Sequence, residues 1–247
     1  MLDGPNQAQT TSVGTGIMGL GKQAKTLNKI QIKMVSEMLM TNRYGFRDQT
    51  IFYFSIKAGL RAKEIAHLKW AMVMNSDSSV GQYLHLPNSS SKGKSGRIVP
   101  LNKDLRKNLQ VMLEQHRLVD GFDPTVASIV CTERSKTTSS QAIVNMFQRW
   151  YQRLGIVGGS SHSGRRTFIT ETSKRISTVG GSLRDIQMMV GHSSLQTTQR
   201  YIEADSDSQR RIVELIWILR VILNTFKRIN FHHPTLHSLQ CLYLLIG

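Results

Sequence analysis

Two arginines stand where apolar side chains belong, and their positions suggest a grip on an anion. Arg61, Ile65 and Leu68 recur at i, i+4 and i+7, so a helix through them would carry a guanidinium on its own apolar stripe. A charge there must be paired, either with Glu64 at i+3 or with an anionic ligand whose oxygens match the planar fork. Arg165 repeats the anomaly beside Phe168 and Ile169, and His162 lies one turn earlier, where a helix should begin. Backbone N–H groups at such a terminus add favourable potential for a phosphate. The two arginines together read as an anion clamp, whereas His162 alone reads as a cap or a satisfied core imidazole.

The remaining candidates are ordinary when taken singly. His192 follows Gly191 in GHSSLQTTQRY, and Tyr201 closes that run. GHSSL is no hydrolase elbow, because Leu195 occupies the place of the second glycine. A lone tyrosine is more often a packing residue than a nucleophile, and Lys92 and Lys94, in the NSSSKGKSG stretch, read as solvated loop cations. Gly14, Gly16 and Gly19 spell GxGxxG, but no apolar strand precedes them, which argues against a dinucleotide site. Cys131 and Cys241 are too distant for a CxxC pair, and Pro234 interrupts the helical spacing of His233 and His237. No metal site and no cofactor is expected.

The elements that must position these residues are mostly helical. Apolar residues recur at three and four through Leu27, Ile30, Met34 and Met38, then through Ile51, Phe54 and Ala58, and again through Leu60, Ile65, Leu68 and Met72. Leu101 to Leu113 and Ile143 to Leu154 continue the pattern, with Asn102 as an N-cap. Further helices are expected near His162 and from Ser182, where Ser182 and Asp185 form a capping-box pattern that Gly191 terminates. Residues 82–86 and 97–101 are β-rich runs around the turn-rich segment, a hairpin signal. The predicted fold class is mainly α with a small antiparallel β-sheet or hairpin. Residues 1–25 read as a flexible linker.

A net charge of +16 on 247 residues points to a polyanionic partner, and nucleic acid suits basic residues spread along the whole chain. Glu214 and Arg220 interrupt the apolar segment from Ile212 to Leu223, so neither a membrane span nor a membrane partner is expected. The N-terminus lacks the basic and apolar regions of a secretion signal, and the address predicted is cytoplasmic.

Taken in order, AGLRAKEIAHLKW, SKGKSGRIVPL, HSGRR and LRDIQMMVGHSSLQTTQRY resemble the four signature regions of the tyrosine recombinase (phage integrase) family. The resemblance implies that family's catalytic-domain fold over residues 26–211. It also implies the catalytic set Arg61, Lys92, His162, Arg165, His192 and Tyr201, with Lys94 as the alternative lysine. The activity implied is site-specific cutting and rejoining of double-stranded DNA through a 3′-phosphotyrosyl link, without metal or nucleotide cofactor. In that chemistry the arginines and His192 would stabilise a pentacoordinate phosphate, His162 would serve the tyrosine as base, and Lys92 would protonate the 5′-oxygen.

Two departures accompany the resemblance. Arg166 stands where many members carry histidine, and only linker-like residues precede the match, so the N-terminal core-binding domain of longer members is expected to be absent. A truncated, non-catalytic DNA-binding module derived from an integrase is therefore the alternative, and a relaxing topoisomerase of the same chemistry is a third reading. Members of the family often pass their last helix to a neighbour. The apolar C-terminal helix in residues 212–247 is thus expected either to join a homo-oligomer, a tetramer on DNA, or to fold back on its own domain.

Overall fold

A computed structural model describes residues 24–88, 96–132 and 135–203, together with Val213, Glu214 and Trp217. The chain is mainly helical, with eight α-helices and one two-stranded antiparallel sheet among the described residues. The first helix, α1 (Lys29–Met40), starts where the Asn28 side chain accepts from the Gln31 N–H at 2.8 Å, and it buries Val35 and Leu39. The second, α2 (Gly45–Ala58), buries Ile51, Phe52, Phe54 and Ala58 and runs through the centre of the core. Around it pack α4 (Lys103–Arg117), through Leu105, Leu109, Met112 and Leu113, and α6 (Ser163–Arg175). Asn102 caps α4 as its sequence predicts, accepting from the Asp104 N–H at 2.9 Å.

Two glycines allow α2 and α6 to approach closely. Gly59 ends α2 in the left-handed region at φ 66°, and a Cβ there would meet the Phe168 ring at 2.5 Å. A Cβ on Gly164 would lie 2.4 Å from the Ser55 hydroxyl. Gly59 lies two residues before Arg61 and Gly164 immediately precedes Arg165, so the close crossing brings the two anomalous arginines to the same end of the helix pair.

The predicted helix from Leu60 to Met72 is not continuous. Helix α3 (Ala62–Ala66) lasts five residues, the backbone turns extended at Lys69, and a single 3-10 turn follows at Trp70–Met72. Lys69 then bridges Ser128, and the Ile129 N–H donates to the Leu68 carbonyl at 2.9 Å. The apolar spacing is still satisfied, because Leu60, Ile65 and Leu68 are all fully buried. Their period of three to four reported burial and did not require one helix.

Strands β1 (Tyr83–Leu86) and β2 (Arg97–Pro100) pair with Leu84 opposite Val99 and Leu86 opposite Arg97. Their side chains alternate, so Leu84, Leu86, Val99 and also Arg97 face inward. After α5 (Ser140–Arg153), whose Ser139 hydroxyl caps Ala142, and α6 come α7 (Leu183–Val190) and α8 (Leu195–Glu203). The Ser182 N–H donates to Asp185 at 2.7 Å at the start of α7, and Gly191 ends it at φ 65°. A small separate cluster of Ile169, Ile186 and Val190 supports this part, with Phe168 and Tyr201 packed on it.

The N-terminal segment read as linker is already tied down at its end. The Lys25 N–H donates to the Gly158 carbonyl, and that of Leu27, which is buried, donates to the Thr167 hydroxyl. The GxGxxG at Gly14 to Gly19, the histidines His233 and His237, and most of the C-terminal helix predicted from Ile212 lie outside the described residues. Val213, Glu214 and Trp217 of that helix are helical and exposed. Among the described residues no helix is long and apolar enough to cross a membrane.

Candidate functional site

Arg61 does not sit on a helical stripe. It is the residue before α3, with extended backbone, and the Glu64 carboxylate accepts both its N–H at 2.8 Å and its guanidinium at 3.1 Å. Arg61 is thus paired with Glu64 and at the same time lines a cleft. That cleft, about 400 Å³, is walled by Arg61, His162, Arg165, His192 and Tyr201, joined by Arg166 and Arg200. Lys92 and Lys94 lie outside the described residues. Among the described residues no acidic side chain lines the cleft, and four guanidiniums face it.

Helix termini hold the inner arginine. Arg165 is 4% exposed, and it donates to the Gly59 carbonyl at 2.6 Å and to the Val190 carbonyl at 2.8 Å. Those carbonyls end α2 and α7, where the partial negative charge of a helix favours a cation. Burial, and then the charge of Arg61, pull its pKa down to about 9. The guanidinium stays cationic at neutral pH and has donors left over, because a guanidinium carries about five N–H groups. Such a group gains by meeting an anion.

Behind the cleft wall lies a residue that the sequence reading passed over. Arg97 grips Glu64 with both terminal nitrogens, at 3.0 and 2.9 Å, and its Nε donates to the Met189 carbonyl at 2.8 Å. Burial works to raise the Glu64 carboxyl, yet the hydrogen bonds and charge of Arg97, followed by those of Arg61, hold it below its ordinary range. Arg97 thus joins the α3 segment and β2 to the end of α7. The signal was available: alternation with Val99 puts Arg97 on the inward face of its strand, and a buried cation needs a partner. Gly191 leaves room for it, since a Cβ there would lie 2.9 Å from the guanidinium.

His162 occupies the N-cap position of α6, exposed and without a side-chain capping hydrogen bond. His192 and Tyr201 stack, with ring centroids 5.7 Å apart and planes 18° from parallel. The Arg166 guanidinium lies 5.8 Å from the tyrosine ring centroid. The Nδ1 of His192 is 2.9 Å from the hydroxyl of Thr198, which is fully buried. Burial, and then the charges of Arg165, Arg61 and Arg97, pull the imidazole pKa down to about 4. Its ring is therefore neutral at physiological pH.

The His192 resonances should stay in their neutral positions as pH falls through 6, and titrate only near 4. Because the folded value lies below the unfolded value of about 6.5, this group contributes stability above that pH and loses it as pH falls toward 4. Inorganic phosphate, by offsetting the neighbouring guanidiniums, should raise the midpoint. A histidine titration at its ordinary value, insensitive to phosphate, would contradict this electrostatic picture.

The phage integrase family model matches residues 25–208. Among curated proteins, the chain is 29% identical over 169 residues to the tyrosine recombinase XerC of Chlamydia trachomatis, covering 68% of this chain and 50% of that one. It is 26% identical over 190 residues to the tyrosine recombinase XerD of Ralstonia nicotianae, covering 76% and 58%. The chain thus spans about half the length of the curated relatives it matches. Among solved structures, XerA recombinase superimposes with a TM-score of 0.60 at 21% identity, covering 77% of this chain and 62% of the other. XerH site-specific recombinase bound to palindromic difH substrate, in a post-cleavage complex, gives 0.61 at 18% identity, covering 78% and 52%.

Proposed function

Because the chain belongs to the phage integrase family, we propose that it is a site-specific DNA recombinase that cuts and rejoins strands through Tyr201. The observation that carries this reading is the convergence of Arg61, His162, Arg165, His192 and Tyr201, from three signature segments, on one basic cleft. The XerH and XerC relatives, named as recombinases, support it. We assign residues 26–211 as the catalytic unit and double-stranded DNA as its substrate.

In the reaction, the Tyr201 oxygen attacks a backbone phosphorus, its proton passes to His162 or to water, and the 5′-oxygen leaves with a proton from Lys92. Negative charge grows on the equatorial oxygens, and Arg61 and Arg165 meet it with guanidiniums already fixed by protein carbonyls and Glu64. The role proposed for His192 is that of a donor through Nε2 to a phosphate oxygen, the tautomer in which Nδ1 accepts from the Thr198 hydroxyl 2.9 Å away. The 3′-phosphotyrosyl link conserves the bond energy, and a 5′-hydroxyl from another strand reverses the step. Strand exchange requires more than one subunit, and we assign a homo-oligomer, a tetramer on DNA joined through the C-terminal segment.

The test uses nicked duplexes made from the DNA flanking the gene, end-labelled separately at 3′ and 5′ ends. The expected product is a protein adduct that survives denaturation and retains the label on the strand 5′ to the break. Salt-sensitive binding with no adduct on any flanking sequence would instead indicate a non-catalytic DNA-binding module. Relaxation of supercoiled plasmid without site preference would indicate a topoisomerase.

A further inference from the structure

Far along the chain from the cleft residues, Cys131 and His116 form a second reactive arrangement. Cys131 is half-buried, and its Sγ lies 3.4 Å from the His116 Nε2. The other ring nitrogen, Nδ1, is 2.8 Å from the Met112 carbonyl, which only accepts, so Nδ1 carries a proton. Nε2 is thereby left to take the thiol proton. Arg47 adds a positive charge by donating to the carbonyl of Cys131 at 3.3 Å, while its other nitrogens hold Asp48 at 2.7 and 3.0 Å. The imidazole is held in place by the Trp70 ring, edge-on at 5.1 Å.

The pair opens on a cavity of about 470 Å³, walled by Val119, Phe122 and Ala127, with Lys136 and Asp120 as its charged groups among the described residues. The hydrogen bond from His116 holds the Cys131 thiol below its ordinary range against the effect of burial, and the His116 imidazole is raised correspondingly by Cys131. A thiolate beside a cation is the reactive form of cysteine. Among the described residues no third ligand completes a metal site here, so the chemistry of the pair is that of a nucleophile.

We propose that Cys131 and His116 form a thiol-modification site that accepts a small disulfide bearing a carboxylate. The Cys131 thiolate attacks one sulfur of the disulfide, a new S–S bond forms and the old one breaks. The departing thiolate takes the proton that His116 had accepted from Cys131. No electrons are lost overall, since the incoming disulfide is reduced by the amount that Cys131 is oxidised. The apolar wall receives the aliphatic part of the ligand, and Lys136 its carboxylate. This site is separate from the recombination chemistry and stands or falls without it.

The test uses the full chain with Cys241→Ser, so that one thiol remains. Iodoacetamide labelling of Cys131 is followed against pH in the native chain and in urea. The native inflection is expected at lower pH than the unfolded one, and His116→Gln, checked for native circular dichroism, is expected to abolish the difference. Oxidised glutathione is expected to add one glutathionyl group per native chain, reversed by dithiothreitol, and none to Cys131→Ser. A native inflection at or above the unfolded one overturns the proposal without recourse to any variant. So does a folded His116→Gln chain that keeps the difference, or a native chain that refuses glutathione while the unfolded chain accepts it.

Discussion

Tyr201→Phe is expected to reduce covalent adduct formation by on the order of 10³-fold or more, to the limit of detection, while DNA binding at fixed salt changes by less than about two-fold. The substitution removes one oxygen and little else. A phenylalanine ring keeps the stack on His192 at 5.7 Å and the place beside Arg166. It also keeps its packing on Ile169, Ile186 and Val190, so the α8 helix has no reason to move. The guanidiniums proposed to hold phosphate are likewise untouched. Adduct yield on denaturing gels and binding by fluorescence anisotropy, measured on one nicked duplex, separate the two quantities. An adduct that survives in Tyr201→Phe would transfer the nucleophile to another side chain. Loss of binding in parallel with the adduct would mean that the oxygen holds DNA in place and does not act as nucleophile.

The reach of the sequence differs from residue to residue for physical reasons. Arg61 lines the cleft, but not from the helical stripe that its spacing suggested. That spacing implied one helix to Met72, whereas the chain leaves α3 after Ala66 to pair its backbone with residues near Ser128. Burial at every third or fourth position is compatible with either path, so periodicity alone does not choose. Local features were legible: the Asn102 cap, the Ser182 and Asp185 box, the Gly191 stop and the hairpin all rest on neighbours in the chain. What holds Arg165 was not legible. Its carbonyl partners, Gly59 and Val190, lie 106 and 25 residues away and are backbone atoms that no side-chain pattern announces. The same holds for the Thr198 hydroxyl that orients His192. Arg97 lies between these cases: its inward position could be read from alternation with Val99, but its partners could not.

That residue carries the largest stability effect expected in the molecule. Arg97→Leu removes both hydrogen bonds to a carboxylate whose side chain is 2% exposed, leaving Glu64 with only the partly exposed Arg61. Breaking a buried ion pair from one side costs about 3–5 kcal/mol, because the surviving charge remains desolvated. In a unit of this size that lowers the melting temperature by roughly 10 °C. Glu64→Leu combined with Arg97→Leu should recover much of the loss, since the pair is then replaced by apolar volume. Acid provides the internal control. In the parent, Glu64 is held below its ordinary range, so its contribution is present above the unfolded pKa of about 4.3 and lost as pH falls below it. In Arg97→Leu the carboxyl gains by accepting a proton, so the stability gap between parent and variant should narrow from pH 7 to pH 4. The Met189 carbonyl also loses its donor, so the turn carrying His192 loosens and adduct formation should fall more than DNA binding does. Thermal melts at the two pH values, on the parent and both variants, read the whole scheme. A gap of less than about 1 kcal/mol at pH 7, or one that does not change with pH, would show that Arg97 does not hold Glu64 in the ionised form.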